Sequence, residues 1–171
     1  MATKKSIWIL FGILVISAWV LGSASPTQAE DIKWKLISTV TKVDTHKVDD
    51  QEGHILGTVE RKGLMLHDNG DVANELNKVI FDNVAGVSKW QGYCLQTFKD
   101  GSTIMMKHQG TNAKGQIVEA SFELIKGTGR FEGIKGNLSY TGRSLTPYSK
   151  EKGTMGDAYY DVTSTYTLPS K

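Results

Sequence analysis

After residue 29 this chain has no window of about a dozen residues with clean helical periodicity, apart from a weak one near Asp71 to Val79. Glycines and β-branched residues punctuate it at short intervals, so helix is a minor component. Lys33 to Val43 alternates in strand fashion, and Ile55 to Glu60 with Gly63 to His67 reads as a second strand broken at Lys62 and Gly63. Asp44 to Gly53 reads as a charged, exposed loop between them. Asn69-Gly70 is a turn signal ahead of a short apolar run, Val79 to Val84.

The clearest local signal is a hairpin: Gln91 to Phe98, the loop Lys99-Asp100-Gly101-Ser102, then Thr103 to Gln109. A tight two-residue loop pairs Phe98 with Thr103, Gln96 with Met105 and Cys94 with Lys107 on one face. Tyr93, Leu95, Ile104, Met106 and His108 then share the other, and a bulge shifts that register by one residue. A turn at Asn112 to Gly115 leads into Gln116 to Lys126, where Val118, Ala120, Phe122 and Leu124 alternate with Glu119, Ser121 and Glu123 as in a half-buried strand. Asn137 to Arg143 and Ala158 to Leu168 follow as strands. About eight strands with mostly short connections predict an all-β fold, a single antiparallel barrel, because closure hides the sheet edges.

The first 29 residues read as an export signal: Lys4 and Lys5 precede an apolar run from Ile7 to Leu21 and a small-residue segment ending at Ala29. That run is shorter than the ~20 residues that span a bilayer, so cleavage after Ala29 is expected over retention as an anchor. The barrel domain is then residues 30–171, in the periplasm or outside the cell. The signal holds two lysines and no acid, so the chain's 20 basic and 18 acidic residues become 18 of each. A formally neutral domain excludes nucleic acid as a partner, which needs a basic excess. Cys94 is the single cysteine, so no internal disulfide is available despite an oxidising destination, and stability rests on packing.

Gly127-Thr128-Gly129-Arg130-Phe131-Glu132-Gly133-Ile134-Lys135-Gly136 resembles the Gly-Thr/Ser-Gly-x-Phe turn of the allene oxide cyclase and dirigent barrels. Physically, closely spaced glycines allow a tight reversal with positive φ at some of Gly127, Gly129 and Gly136, and Phe131 can anchor beneath it. Gly92-Tyr93-Cys94-Leu95 resembles the cyclase's Gly-x-Cys strand, so the likeness runs from Gly86 to Leu168. It implies a small antiparallel barrel with a hydrophobic cavity, in members that commonly assemble as trimers. It does not imply cyclase activity. The segment that carries the family's cavity tyrosine is shorter here, and Lys33 to Val43 offers no glutamate. The glycine-rich turn is no phosphate loop, since the Lys-Ser/Thr and the following helix are missing.

His46, Asp49, Asp50, Glu52 and His54 crowd one loop, but neither their spacing nor a nearby cysteine matches a metal pattern, so no metal and no cofactor is expected. Asp68 to Asp71 lacks the later ligands of a calcium loop and reads as a turn. Cys94 and His108 form the obvious nucleophile–base pair, yet the two-residue register sets them on opposite faces, and a lone buried cysteine behaves as a small hydrophobe. Glu119 and Glu123 share one face and read as solvated.

Both faces of the hairpin are partly apolar. The family resemblance turns Gly92, Cys94, Gln96 and Phe98 inward with Met105 and Lys107, whereas apolar area at ~25 cal/mol per Å² favours Tyr93, Leu95, Ile104 and Met106. Cavity candidates are therefore Tyr93, Cys94, Leu95, Gln96, Phe98, Ile104, Met106 and His108. The outer face either meets another copy or lies under the loop Thr146 to Gly156. The function expected is interior binding of a small hydrophobic molecule. Its alternatives are an isomerase or cyclase acting on such a molecule, marked by a cavity with a paired acid and base, and a structural protein, marked by a filled interior.

Overall fold

The computed structural model describes residues 29–113, 116–144 and 156–169, with the backbone alone at 116, 118, 119 and 140–144. The export signal and the loop after Ser144 therefore lie outside the described residues. Eight strands follow in order: β1 (Ala29–Lys47), β2 (Ile55–His67), β3 (Val72–Val84), β4 (Val87–Phe98), β5 (Thr103–Ala113), β6 (Gln116–Thr128), β7 (Lys135–Ser144) and β8 (Ala158–Thr167). Each pairs antiparallel with the next and β8 returns to β1, closing the barrel. Among the described residues the only helical element is a single 3-10 turn, Gly129–Phe131.

Three local expectations change. The weakly helical stretch near Asp71 to Val79 lies mostly in β3, paired along its length with β2 and β4. The break expected at Lys62 and Gly63 is absent: β2 is continuous, and the irregularity sits opposite, on β1 between Val40 and Lys42. Asp44 to Lys47, read as loop, extends β1 along β2, past Ser38 where pairing with β8 ends.

At one end, a cluster of Trp34, His67, Phe98, Phe131, Ile134 and Tyr166 fills the interior. Phe131 anchors beneath the glycine-rich turn as expected, its ring centroid 4.7 Å from that of Phe98. Arg130 lies over both rings, 4.8 Å from each centroid, and pairs with Asp71 at 2.8 Å and Asp100 at 3.4 Å. One guanidinium thus ties three hairpin turns together. Its half-exposed position holds its worth to about 1 kcal/mol.

Gly129 and Gly136 take the left-handed φ values the tight reversal requires, +61° and +154°. Gly127 does not, and is required for another reason: a Cβ there would sit 1.9 Å from the Phe131 carbonyl oxygen. Among the described residues the shortest strand ladder is that between β6 and β7, where Phe122↔Leu138 and Glu123↔Asn137 pair.

Candidate functional site

The register of the β4–β5 hairpin decides which side chains enter the barrel. Gly101 is left-handed at φ +81°, its N–H bonds to the Phe98 carbonyl, and the Phe98 N–H bonds to the Ser102 carbonyl at 2.9 Å. This is a three-residue loop with a glycine bulge, not a two-residue turn. The extra residue slides the pairing by one, setting Gln96 opposite Ile104, Cys94 opposite Met106 and Gly92 opposite His108.

Each sequence expectation is therefore half right. Gly92, Cys94, Gln96 and Phe98 point inward, as the family resemblance implied, and so do Ile104 and Met106, as apolar area implied, with His108 beside them. Tyr93, 53% exposed, and Leu95 lie on the outer face and leave the cavity set. Lys107 is exposed and Met105 half-buried outside. Cys94 and His108, expected on opposite faces, share the interior.

An internal cavity of about 150 Å³ lies above the filled end, between the inner faces of the strands. Its walls include Leu36, Met65, Met106, Phe122, Leu138 and Val162, and into it reach Ser38, Arg61, Glu75, Asn77, Cys94 and His108. Ile104, Phe98 and Gln96 pack below it; the Gln96 amide donates to Met106 Sδ at 3.8 Å. Sequence reasoning missed Ser38, Arg61, Glu75 and Asn77, which sit on β1, β2 and β3, ahead of the segment that carries the resemblance.

The polar groups are mutually arranged. Arg61 Nε donates to Ser38 Oγ at 3.1 Å, and Nη2 donates to the carbonyls of Ser38 at 3.4 Å and Gly156 at 2.7 Å. Gly63 pairs with Ser38 on one side and Glu75 on the other; a Cβ at Gly63 would fall 2.6 Å from Glu75 Oε2. The Cys94 thiol donates to Glu75 Oε1 at 3.3 Å, while Oε2 has no partner among the described residues. Across β4, His108 Nε2 meets Asn77 Oδ1 at 2.9 Å, passing the side-chain-free Gly92. Trp90 and Phe122 flank the imidazole, with Phe122 stacked on it at 5.4 Å, and its Nδ1 has no hydrogen-bond partner among the described residues.

Burial pushes the Glu75 carboxyl above its ordinary range, opposed by the Cys94 thiol, the Arg61 charge and the nearby Ser38 and Asn77 side chains. Burial, then the Glu75 charge, drives the Cys94 thiol well up, so it is no thiolate nucleophile at neutral pH. Burial holds His108 down at about 4, a neutral base in the cavity wall.

That depression makes the fold acid-sensitive. Between pH 6.5 and about 4 the unfolded chain binds a proton that folded His108 refuses, so stability is complete above the window and lost as pH falls through it. His67, also lowered by burial, adds in the same direction. Glu75, raised, acts oppositely: its contribution is present at low pH and fades as pH rises through its folded value. Urea midpoints of the His108→Phe variant should lose a pH dependence on the order of 3 kcal/mol that the parent shows between pH 4 and 7.

The charged loop has a structural employment. His54 Nδ1 meets Asp50 at 2.6 Å and Nε2 meets Asp82 at 3.0 Å, while His46 lies on β1 opposite Leu56. Among the described residues no group of three or more His, Cys, Asp or Glu is placed to hold a metal. Asp68 to Asp71 forms the β2–β3 turn. Glu123 is exposed, and the side chain of Glu119 lies outside the described residues.

No protein-family profile matches the chain, and no curated protein does. Solved structures do. The pterocarpan synthase dirigent protein GePTS1 superposes with a TM-score of 0.52 at 12% identity, covering 88% of this chain and 96% of that one. The pterocarpan synthase dirigent protein PsPTS1 gives 0.51 at 12%, covering 84% and 97%. The barrel is dirigent-like. At this identity the likeness is one of fold, and what the dirigent-like barrel here does must be argued from its own interior.

Proposed function

We propose that this barrel is exported and binds or guides a small, largely apolar molecule in its interior. The observation that carries the reading is a cavity whose walls are largely apolar and which a small set of polar side chains, Ser38, Arg61, Glu75, Asn77, Cys94 and His108, also line. A space of about 150 Å³ matches a molecule near the size of a single ring. Such a space speaks against the purely structural alternative, which needs a filled interior.

A second reading, an isomerase- or cyclase-type enzyme, is favoured by one observation: an acid, Glu75, and a neutral base, His108, reach the same cavity on either side of Asn77. Self-association belongs to the first reading. Neighbouring pairs Ile37↔Leu64 and Leu66↔Val72 stand exposed on the outer sheet and support it. The kinship to the cyclase branch rests on Gly92 to Leu95 and the glycine-rich turn.

Native mass spectrometry of exported protein tests binding and subunit count together. A co-purified small molecule, lost when Glu75 and His108 are both replaced, is the expected result. An interior without any ligand, together with no thermal stabilisation by one-ring compounds, would overturn the reading. The same sample tests export: its N-terminal sequence should begin at Glu30, and a start at Met1 would refute cleavage after Ala29.

A further inference from the structure

We propose that the outer face of β1 to β6 carries a binding site of its own, for a polysaccharide chain bearing carboxylate groups. The site is separate from the barrel interior and does not depend on what the interior holds.

On the outside of the sheet a groove of about 750 Å³ runs from Asp44 and His46 on β1 to Ser121 on β6. It shares Asp44, Thr58, Ile80 and Gln91 with a second hollow of about 530 Å³, which continues to Tyr93 and Lys107. Crossing from β1 to β6 takes five interstrand steps of about 4.8 Å, on the order of 24 Å in all. That length suits a chain and exceeds a single ring. β2 to β5 are each paired on both sides, so a guest on them is held by side chains and not by strand addition.

The polar groups of the floor both give and accept hydrogen bonds. Gln91 and Gln109 stand directly opposite one another, and each amide offers donors and an acceptor. Thr58, Thr111 and Ser121 add hydroxyls, which do both as well. A ligand dense in hydroxyls matches such a floor. Along it stand Tyr93 and Ile80, 53% and 51% exposed, the two most exposed large apolar side chains among the described residues. Apolar surface left open in a polar groove fits a ligand with apolar patches, and a pyranose ring supplies them as its C–H face beside its hydroxyl edge.

Charge selects among polysaccharides. Three carboxylates of the lining are already engaged: Asp44 with Lys42 at 2.9 Å, Glu60 with Lys78 at 3.4 Å and Asp82 with His54 at 3.0 Å. Lys89 and Lys107 also line the site, exposed, on opposite sides of the Gln91–Gln109 pair, and have no ion-pair partner among the described residues. Glu123, across from Lys107 on β6, lies outside the lining. Two uncommitted cations, with every carboxylate of the described lining engaged, are complementary to a chain that carries negative groups.

The test titrates the mature protein at low salt with an oligogalacturonate of about five rings, the same oligomer fully methyl-esterified, and poly-glutamate of similar length. The oligogalacturonate should bind at least about 5-fold more tightly than its neutral ester, and the margin should shrink as salt is raised. On binding, the amide resonances of Gln91, Tyr93 and Gln109 should move while those of Val162 and Tyr166 on β8 stay in place. Tyr93→Ala removes an exposed side chain, so the β-sheet spectrum should be unchanged while the oligogalacturonate binds about 10-fold more weakly. Lys89→Gln/Lys107→Gln should bring acid and ester to within about 2-fold of each other. Equal affinity of the parent protein for acid and ester would overturn the carboxylate assignment. Poly-glutamate bound as tightly as the sugar, or full binding by Tyr93→Ala, would reduce the groove to bare charge and refute a saccharide site. Binding of neither sugar would refute it outright.

Discussion

Replacing Arg61 by alanine should destabilise the barrel by about 3–5 kcal/mol at pH 8, because its buried bonds to Ser38 and the Gly156 carbonyl are lost and the buried Glu75 carboxyl loses a compensating charge. The guanidinium is buried and its charge favours ionised Glu75, itself 4% exposed; without it the carboxylate keeps only the Cys94 thiol and neighbouring dipoles. The sign of the pH effect is distinctive. Losing Arg61 raises Glu75 further in the folded state, so the variant's deficit should shrink on acidification, as the carboxyl takes up a proton. Exchanging both residues in Arg61→Met/Glu75→Met should recover most of the loss. Urea unfolding of the parent and the single and double variants at pH 5 and 8 measures all of this. A deficit below 1 kcal/mol, or one that does not change with pH, would show that the two charges do not depend on one another.

Gly127→Ala should cost a similar amount, about 3–5 kcal/mol, and more than Gly129→Ala, although only Gly129 has a positive φ. The new methyl would stand 1.9 Å from the Phe131 carbonyl oxygen and 2.7 Å from its carbon, both backbone atoms that cannot rotate away. At Gly129 the nearest atom is Ser102 Oγ at 2.5 Å, a side chain that can turn aside, and the left-handed φ then costs on the order of 1 kcal/mol. For a domain of this size 1 kcal/mol is worth roughly 3–5 °C in melting temperature, so differential scanning calorimetry separates the two variants easily. Equal melting temperatures would mean that the turn, and not the close approach of Phe131, governs this segment.

The barrel was legible because closure, strand alternation and turn residues agree over most of the chain. β3 was not, and its residues say why. Its inward side carries Glu75, Asn77 and Asn83, while Ile80 stands 51% exposed outside. A strand that mixes polar and apolar residues on both faces, with Ala73 and Phe81 inward beside Glu75 and Asn83, blurs the alternation by which strands are recognised, and Asp71 to Val79 then mimics weak helical spacing. The same mixing concealed the site, since nothing in the sequence turns Arg61 and Glu75 toward one interior until β2 and β3 are placed side by side. In the hairpin the difficulty was a single residue. Lys99-Asp100-Gly101 serves as a three-residue loop, and that count alone decides whether Cys94 and His108 share a face. The extension of β1 beyond Val43 escaped notice because its charges suit a solvated ladder as well as they suit a loop.

The short ladder between β6 and β7 has a kinetic consequence. Among the described residues, parting the barrel there separates two residue pairs, Phe122↔Leu138 and Glu123↔Asn137, whereas the β1–β2 and β2–β3 ladders each run to a dozen or more. Local opening therefore starts at this seam, at a fraction of the free energy of global unfolding. Phe122 and Leu138 are also wall residues of the cavity, so the same breathing motion uncovers the interior sideways. Amides of Phe122 and Glu123 should exchange with solvent sooner than those of Val59 or Leu76, and exchange of any interior guest is then timed by a zipper two teeth long.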